Sequence, residues 1–148
     1  HHISNPLFKQ ILKSIPIATV DLVVIKGSGK NKEFLLGKRN NKPYKGKWFI
    51  PGGRILWGES LEQAVGRHLK QELGLHAKHF RFVFHMSFNN PPGEMGVRYF
   101  TLYHVYVIKF NKNVTPKHDK ENLELKWFKK IEKEFPFPVK KILRTAGF

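Results

Sequence analysis

Residues 52–75 read GGRILWGESLEQAVGRHLKQELGL, and this stretch decides the fold. A glycine pair opens it, a short loop follows, and one amphipathic helix closes on Gly74. Ser60 with Gln63 three positions later has the form of an N-terminal capping box, and Gly74 suits the left-handed position that ends a helix. Leu61, Ala64, Val65, Leu69 and Leu73 recur at helical spacing and form a core stripe. His68, Gln71 and Glu72 stand at i, i+3 and i+4 and project from another face.

Outward from the helix, the chain reads as strands and turns. Ile17–Lys26 is rich in β-branched residues and Glu33–Arg39 continues the pattern, so both are expected to be strands. GSGKNK between them makes a hairpin, in which facing residue numbers sum to about 59 or 60 and Asp21 lies opposite Lys38 or Arg39. A carboxylate inside IATVDLVVI is costly unless paired, so Asp21 either fixes the hairpin through an ion pair or orients Arg39 toward a phosphate. Asn40–Gly46 is turn chemistry and Lys47–Ile50 a short strand. Pro51–Gly53 is a tight turn where backbone groups can approach a ligand. Trp48 is expected in the core, whereas Trp57, in a polar loop, suits stacking on a base.

Residues 4–14 predict a helix with Ser4 or Asn5 as cap and Pro6 at its start. It could cover the domain or meet a second subunit. Later, Phe80–Phe88 and Arg98–Phe110 read as strands joined by a loop over Asn89–Gly96. Leu123–Phe128 is a last short strand after the charged loop Pro116–Asn122, and Val139–Arg144 is a final helix. Together these elements predict an α+β architecture, a mixed sheet sandwiched between helices, as one domain over residues 1–148.

The 148 residues are 41% hydrophobic and carry no cysteine, which suits a single packed core and excludes a disulfide framework or thiolate metal site. No apolar run reaches the ~18 residues that span a bilayer, and no signal-peptide pattern opens the chain, so a cytoplasmic location is expected. His1 and His2 read as the remnant of an affinity tag. The net charge of +16 draws the chain to polyanions. Its lysines are spread along almost every segment, with no arginine-rich tract or aromatic RNA-binding signature. The charge therefore reads as solvated surface, with nucleic acid allowed but not expected.

The segment around the helix resembles the Nudix box: a glycine, five residues, a glutamate, seven residues, then Arg-Glu-apolar-x-Glu-Glu-x-Gly-apolar. Gly53, Glu59, Arg67, Leu69, Glu72, Gly74 and Leu75 match, while His68 and Gln71 stand where that pattern has glutamates. Over residues 15–75, through IPIATVDLVVI, EFLLGKRNNKP, GKWFIPGGR and ESL, the chain is similar to the GDP-mannose mannosyl hydrolase branch. The resemblance implies hydrolysis of a nucleotide sugar at the sugar carbon, with one Mg²⁺ as cofactor (Mn²⁺ able to substitute) and a homodimer. Asp21 and Arg39 match that branch's catalytic groups, and Gly52 a carbonyl metal ligand. Arg54 matches its following arginine and Glu72 its surviving box glutamate. Arg39 and Arg54 would stabilise charge on the leaving diphosphate.

The branch carries Gln-His in the loop before its Tyr-Arg-Trp strand, as metal ligand and general base. Here that place holds Glu121-Asn122, ahead of Leu125-Lys126-Trp127. Asn122 cannot take a proton near neutral pH, so Glu121 is the expected metal ligand and leading base, with His118, His85 and His104 as other base candidates. Two further readings compete: attack at phosphorus, with Glu59 and Glu121 compensating for the lost acids, and a non-catalytic module that binds nucleotide or RNA.

Overall fold

The computed structural model describes residues 2–111 and 113–148; His1, half of the expected tag remnant, lies outside them. The elements run α1 (Asn5–Ser14), β1 (Ile17–Lys26), β2 (Glu33–Arg39), β3 (Trp48–Phe49), β4 (Gly52–Arg54), α2 (Leu61–Leu73), β5 (Arg81–Pro92), β6 (Arg98–Phe110), β7 (Asn122–Phe128) and α3 (Phe137–Thr145). Seven strands join one mixed sheet, in the order β3-β2-β1-β6-β5, with β4 paired to β1 and β7 to β2. The β1–β6 pairing is parallel and the others are antiparallel.

Alternation along β1 sorts the core into two layers. Val20, Leu22 and Val24 pack with Ala64, Val65, Leu69 and Leu73 of α2. Val23 and Ile25 pack with Phe34, Leu36 and the α3 residues Val139, Ile142 and Leu143. The result is the expected α+β sandwich, a mixed sheet between helices. Its α2 begins at a complete capping box between Ser60 and Gln63 and ends on Gly74 at φ 62°.

Several expectations are corrected by long-range pairing. The β1–β2 hairpin has the expected register, Ile25 facing Phe34 and Lys26 facing Glu33, but these two pairs are its extent. Beyond them the strands part, and β4 takes the place beside β1. Asp21 therefore faces Gly52 on one side and Val105 on the other, not Lys38 or Arg39. Residues 52 and 53, expected in a turn, belong to this strand. Gly52 has a φ of 143°, and a side chain there would run into the Val20 carbonyl.

The strand after α2 also outlasts its expected end: β5 continues through Asn89–Pro92, and the turn shrinks to Gly93–Gly96. Buried Asn90 supplies the reason, since it bonds to β6 side chains instead of water. α3 starts two residues earlier than its apolar pattern, at Phe137. α1 covers the domain: Leu12 is buried and the Phe8 ring meets Tyr99 edge-on at 6.1 Å. Leu7 and Ile15 stay exposed.

Candidate active site

The parting of β1 and β2 opens two adjoining cavities at one end of the sheet. The smaller, about 150 Å³, is lined by Thr19, Asp21, Tyr44, Asn90, Thr101 and Tyr103 among others. The larger, about 470 Å³, is lined by His68, Gln71 and Glu72 of α2, by Asp119–Asn122, and by Phe8. Arg39, Phe49, Ile50, Gly52, Gly53, Arg54 and Tyr99 line both. Chain segments far apart in sequence thus bring Asp21, Arg39, Gly52, Arg54, Glu72 and Glu121 around one divided cleft.

Asp21 is 4% exposed, and Thr19 donates a 2.6 Å hydrogen bond to its Oδ2. Burial disfavours the carboxylate and outweighs that bond, pushing the pKa up to about 7. Arg39 makes no ion pair with it. Its Nε donates instead to the Pro43 carbonyl at 2.7 Å, and its guanidinium lies 5.6 Å from the Phe49 ring centroid. Burial holds the Arg39 pKa below its ordinary value, against the pull of Glu121 and Glu72. The Arg54 guanidinium sits 4.7 Å from the centre of the Phe8 ring.

On α2, His68 and Glu72 are both buried. The His68 Nδ1 faces Glu72 Oε2 at 2.8 Å, and its Nε2 faces the Arg54 carbonyl at 3.0 Å. Both ring nitrogens thus have oxygen partners, one on Glu72 and one on the Arg54 backbone. Arg67 Nη2, 3.3 Å from the same Nε2, directs its own hydrogens to Glu59 and the Arg54 carbonyl. Burial pulls the His68 pKa down, but the bonds to Glu72 and the Arg54 carbonyl prevail and hold it above normal. Burial also raises Glu72; the bond from His68 opposes this, and repulsion from Asp119 and Glu121 adds to it. A side chain at Gly53 would strike His68 Cε1 at 2.7 Å, so β4 can lie against the imidazole only as glycine.

Does this donor set fit a divalent ion? Glu72, Asp119 and Glu121 are oxygen donors on one cleft wall, and their mutual repulsion is what a cation would relieve. Among the described residues, no three His, Asp or Glu side chains gather closely enough to form a metal cluster. Oxygen donors of this kind suit a hard divalent ion.

The remaining sequence candidates lie elsewhere. Trp57 is 88% exposed and lines neither cavity. His118 is exposed and its Nδ1 contacts the Asp119 carbonyl. His85 and His104 face one another across β5–β6 and line neither cavity; His104 Nδ1 contacts the Thr19 carbonyl at 2.9 Å. Glu59 is held by Arg67, with Nε–Oε2 at 2.7 Å and Nη2–Oε1 at 3.0 Å, and does not line the cleft. Asn122 does line it, but its side chain lies against Gly37. Asp119, Tyr44, Asn90 and Tyr103 were absent from the sequence candidates. Asp119 sits two residues before Glu121 in the same charged loop, a signal that was readable; the other three carried none.

The family model described as NUDIX domain matches residues 16–142. A low-salt glycan biosynthesis protein, Agl8, of Haloferax volcanii is 38% identical over 68 residues, covering 46% of this chain and 41% of that protein. An ADP-ribose pyrophosphatase of Methanocaldococcus jannaschii is 42% identical over 60 residues, covering 40% of this chain and 33% of the relative. The matched stretch is thus less than half the length of these curated relatives. Among solved structures, the NUDIX domain of Shewanella oneidensis NrtR complexed with ADP ribose superposes with a TM-score of 0.71 at 20% identity, covering 93% of this chain and 95% of that one. A MutT NUDIX hydrolase from Burkholderia pseudomallei gives 0.72 at 20% identity, covering 90% and 99%. At such identity these two likenesses speak for the fold alone.

Proposed function

The chain belongs to the NUDIX domain family, and from that premise we propose that it is a one-metal hydrolase of a nucleoside diphosphate sugar, of GDP-mannose type, cleaving at the sugar carbon. One observation carries the reading. On the α2 face turned to the cleft stands a single carboxylate, Glu72, clamped by a buried His68, where a cluster of acids would hold several ions. Attack at phosphorus builds charge on oxygens that are already anionic and calls for such a cluster. Departure of a diphosphate from carbon needs less, because the leaving group is good and requires no general acid.

In this reading the diphosphate occupies the larger cavity beside Arg39 and Arg54, whose guanidinium groups stabilise the charge that builds as it leaves. The sugar enters the smaller cavity, where Asp21 meets its hydroxyls. Mg²⁺, or Mn²⁺ in its place, would be held by Glu72, Glu121 and the Gly52 carbonyl, and when bound would supply further charge stabilisation to the diphosphate. Glu121 alone cannot serve as both ligand and base through one oxygen. Asp119 on the same wall removes that conflict, since one carboxylate can face the ion while the other takes the proton of the attacking water. The name of the Haloferax volcanii relative, a glycan biosynthesis protein, is compatible with a sugar-bearing substrate.

The three carboxylates Glu72, Asp119 and Glu121 in one cleft favour a second reading, hydrolysis at phosphorus, the activity named for the Methanocaldococcus jannaschii relative. Turnover of a nucleotide-sugar panel in ¹⁸O water with Mg²⁺ separates the two. Label on the free sugar, with nucleoside diphosphate as co-product, is expected; label on phosphate establishes the second reading. Absence of turnover with either Mg²⁺ or Mn²⁺ leaves a nucleotide-binding module.

A further inference from the structure

Arg39 is held through the loop that follows it. Its Nε–H donates to the Pro43 carbonyl at 2.7 Å, while its own carbonyl accepts from Gly46 N at 2.8 Å. The next residue, Tyr44, has a φ of 64°, a left-handed conformation that a bulky side chain adopts only when its surroundings impose it. Two contacts impose it here. The Tyr44 ring stacks on Phe49 at 5.1 Å between centroids, and its hydroxyl donates a 2.7 Å bond to Asn90 Oδ1. Asn90 is 2% exposed, and its Nδ2 is committed to Tyr103 Oη at 2.7 Å and Thr101 Oγ1 at 3.2 Å. That anchor belongs to the sheet, while the loop reaches the cleft: Asn41 Nδ2 donates to Glu121 Oε2 at 3.0 Å.

We propose that Tyr44 is a positioning residue, whose hydroxyl ties the 40–46 loop to buried Asn90 and so fixes the Pro43 carbonyl that aims the Arg39 guanidinium into the cleft. Its value to catalysis rests on Arg39 serving the substrate's phosphates; the positioning itself does not. Removing the hydroxyl leaves the Tyr44 ring stacked but frees a strained backbone to relax, and the Pro43 carbonyl moves with it. Among the described residues, Arg39 then loses the one hydrogen bond its guanidinium makes.

The positioning is read directly on protein labelled with ¹⁵N-arginine, with the Arg39 Nε–H resonance assigned by its loss in Arg39→Lys. Tyr44→Phe, and independently Asn90→Leu, should speed solvent exchange of that proton at least about tenfold while the remaining arginine resonances stay in place. An Arg39 Nε–H that keeps its wild-type protection in Tyr44→Phe overturns the proposal. With a turned-over nucleotide sugar, Tyr44→Phe should lower kcat about tenfold with KM little changed, and should have almost no effect in the Arg39→Ala background. Equal losses in both backgrounds likewise overturn it, since they mean that Tyr44 acts apart from Arg39. Absence of wild-type turnover counts against the functional reading and leaves the exchange experiment to judge Tyr44.

Discussion

Arg39 and Glu59 are both charged side chains held by hydrogen bonds, yet they do different work. Arg39 is desolvated at the junction of two cavities, with a carbonyl and an aromatic ring as neighbours, and among the described residues no carboxylate forms an ion pair with it. In the proposed reaction such a cation would meet the substrate's phosphates. Arg39→Ala should cost about 10²-fold in kcat on a nucleotide sugar, the usual loss when one donor to a developing anion is removed. Its melting temperature should stay near wild type. Glu59, in contrast, is matched by Arg67 and has a structural signature. The Arg67 hydrogen bond holds its pKa down at about 2, below the ordinary 4.5. A carboxylate lowered on folding adds stability that is fully present above 4.5 and lost as the pH falls through 2. Denaturant titrations between pH 5 and 2 should therefore show an acid-side decline that Glu59→Gln makes shallower; an unchanged slope would sink this assignment. Asp21, Arg39, Glu72 and Glu121 could all be picked out as residues in the chain. Tyr44 and Asn90 could not, because their tie spans 46 positions and neither side chain has a local pattern.

At the scale of elements, α2 was almost entirely legible. Its capping box, core stripe and glycine stop depend on residues within a turn of one another, and all three are present, with Leu75 N bonding back to the Leu69 carbonyl at 3.1 Å. Two substitutions separate what holds the helix. Ser60→Ala should lower unfolding stability by about 1 kcal/mol through loss of the cap. Leu69→Ala, emptying a site with no exposure, should cost about 2–5 kcal/mol. Urea denaturation measures both, and a cap effect as large as the core effect would contradict the packing described for α2. Strands were less legible than the helix. Nothing local in Pro51–Arg54 announces a strand, because its partner, β1, lies some thirty positions earlier. The run NNPP reads as turn chemistry, yet Asn90 is claimed by Thr101 and Tyr103, and the strand persists to Pro92.

For the whole molecule, the +16 charge acts as a field around a cleft that already contains Arg39 and Arg54. An anionic substrate is drawn in at low salt. Raising ionic strength from about 0.05 to 0.5 M shortens the screening length from over 10 Å to a few ångströms, so KM should rise several-fold with kcat nearly constant. A salt-independent KM would show that the charge is merely solvated surface. Among the described residues, no helix is long and apolar enough to cross a membrane.

By itself, the sequence determined the α+β class, the helix at residues 61–73, the start of the hairpin, and the membership that the spacing from Gly53 to Leu75 implies. These rest on hydrophobic periodicity and capping, whose interactions span only a few residues. The tertiary structure alone decided that β4 displaces β2 beside Asp21, that one cleft is divided between Asp21 and Glu72, and that Trp57 stands outside it. It also decided that His68 is buried against Glu72. Each of these follows from which distant strands pair and how closely glycines let them approach, and such contacts leave no period in the chain.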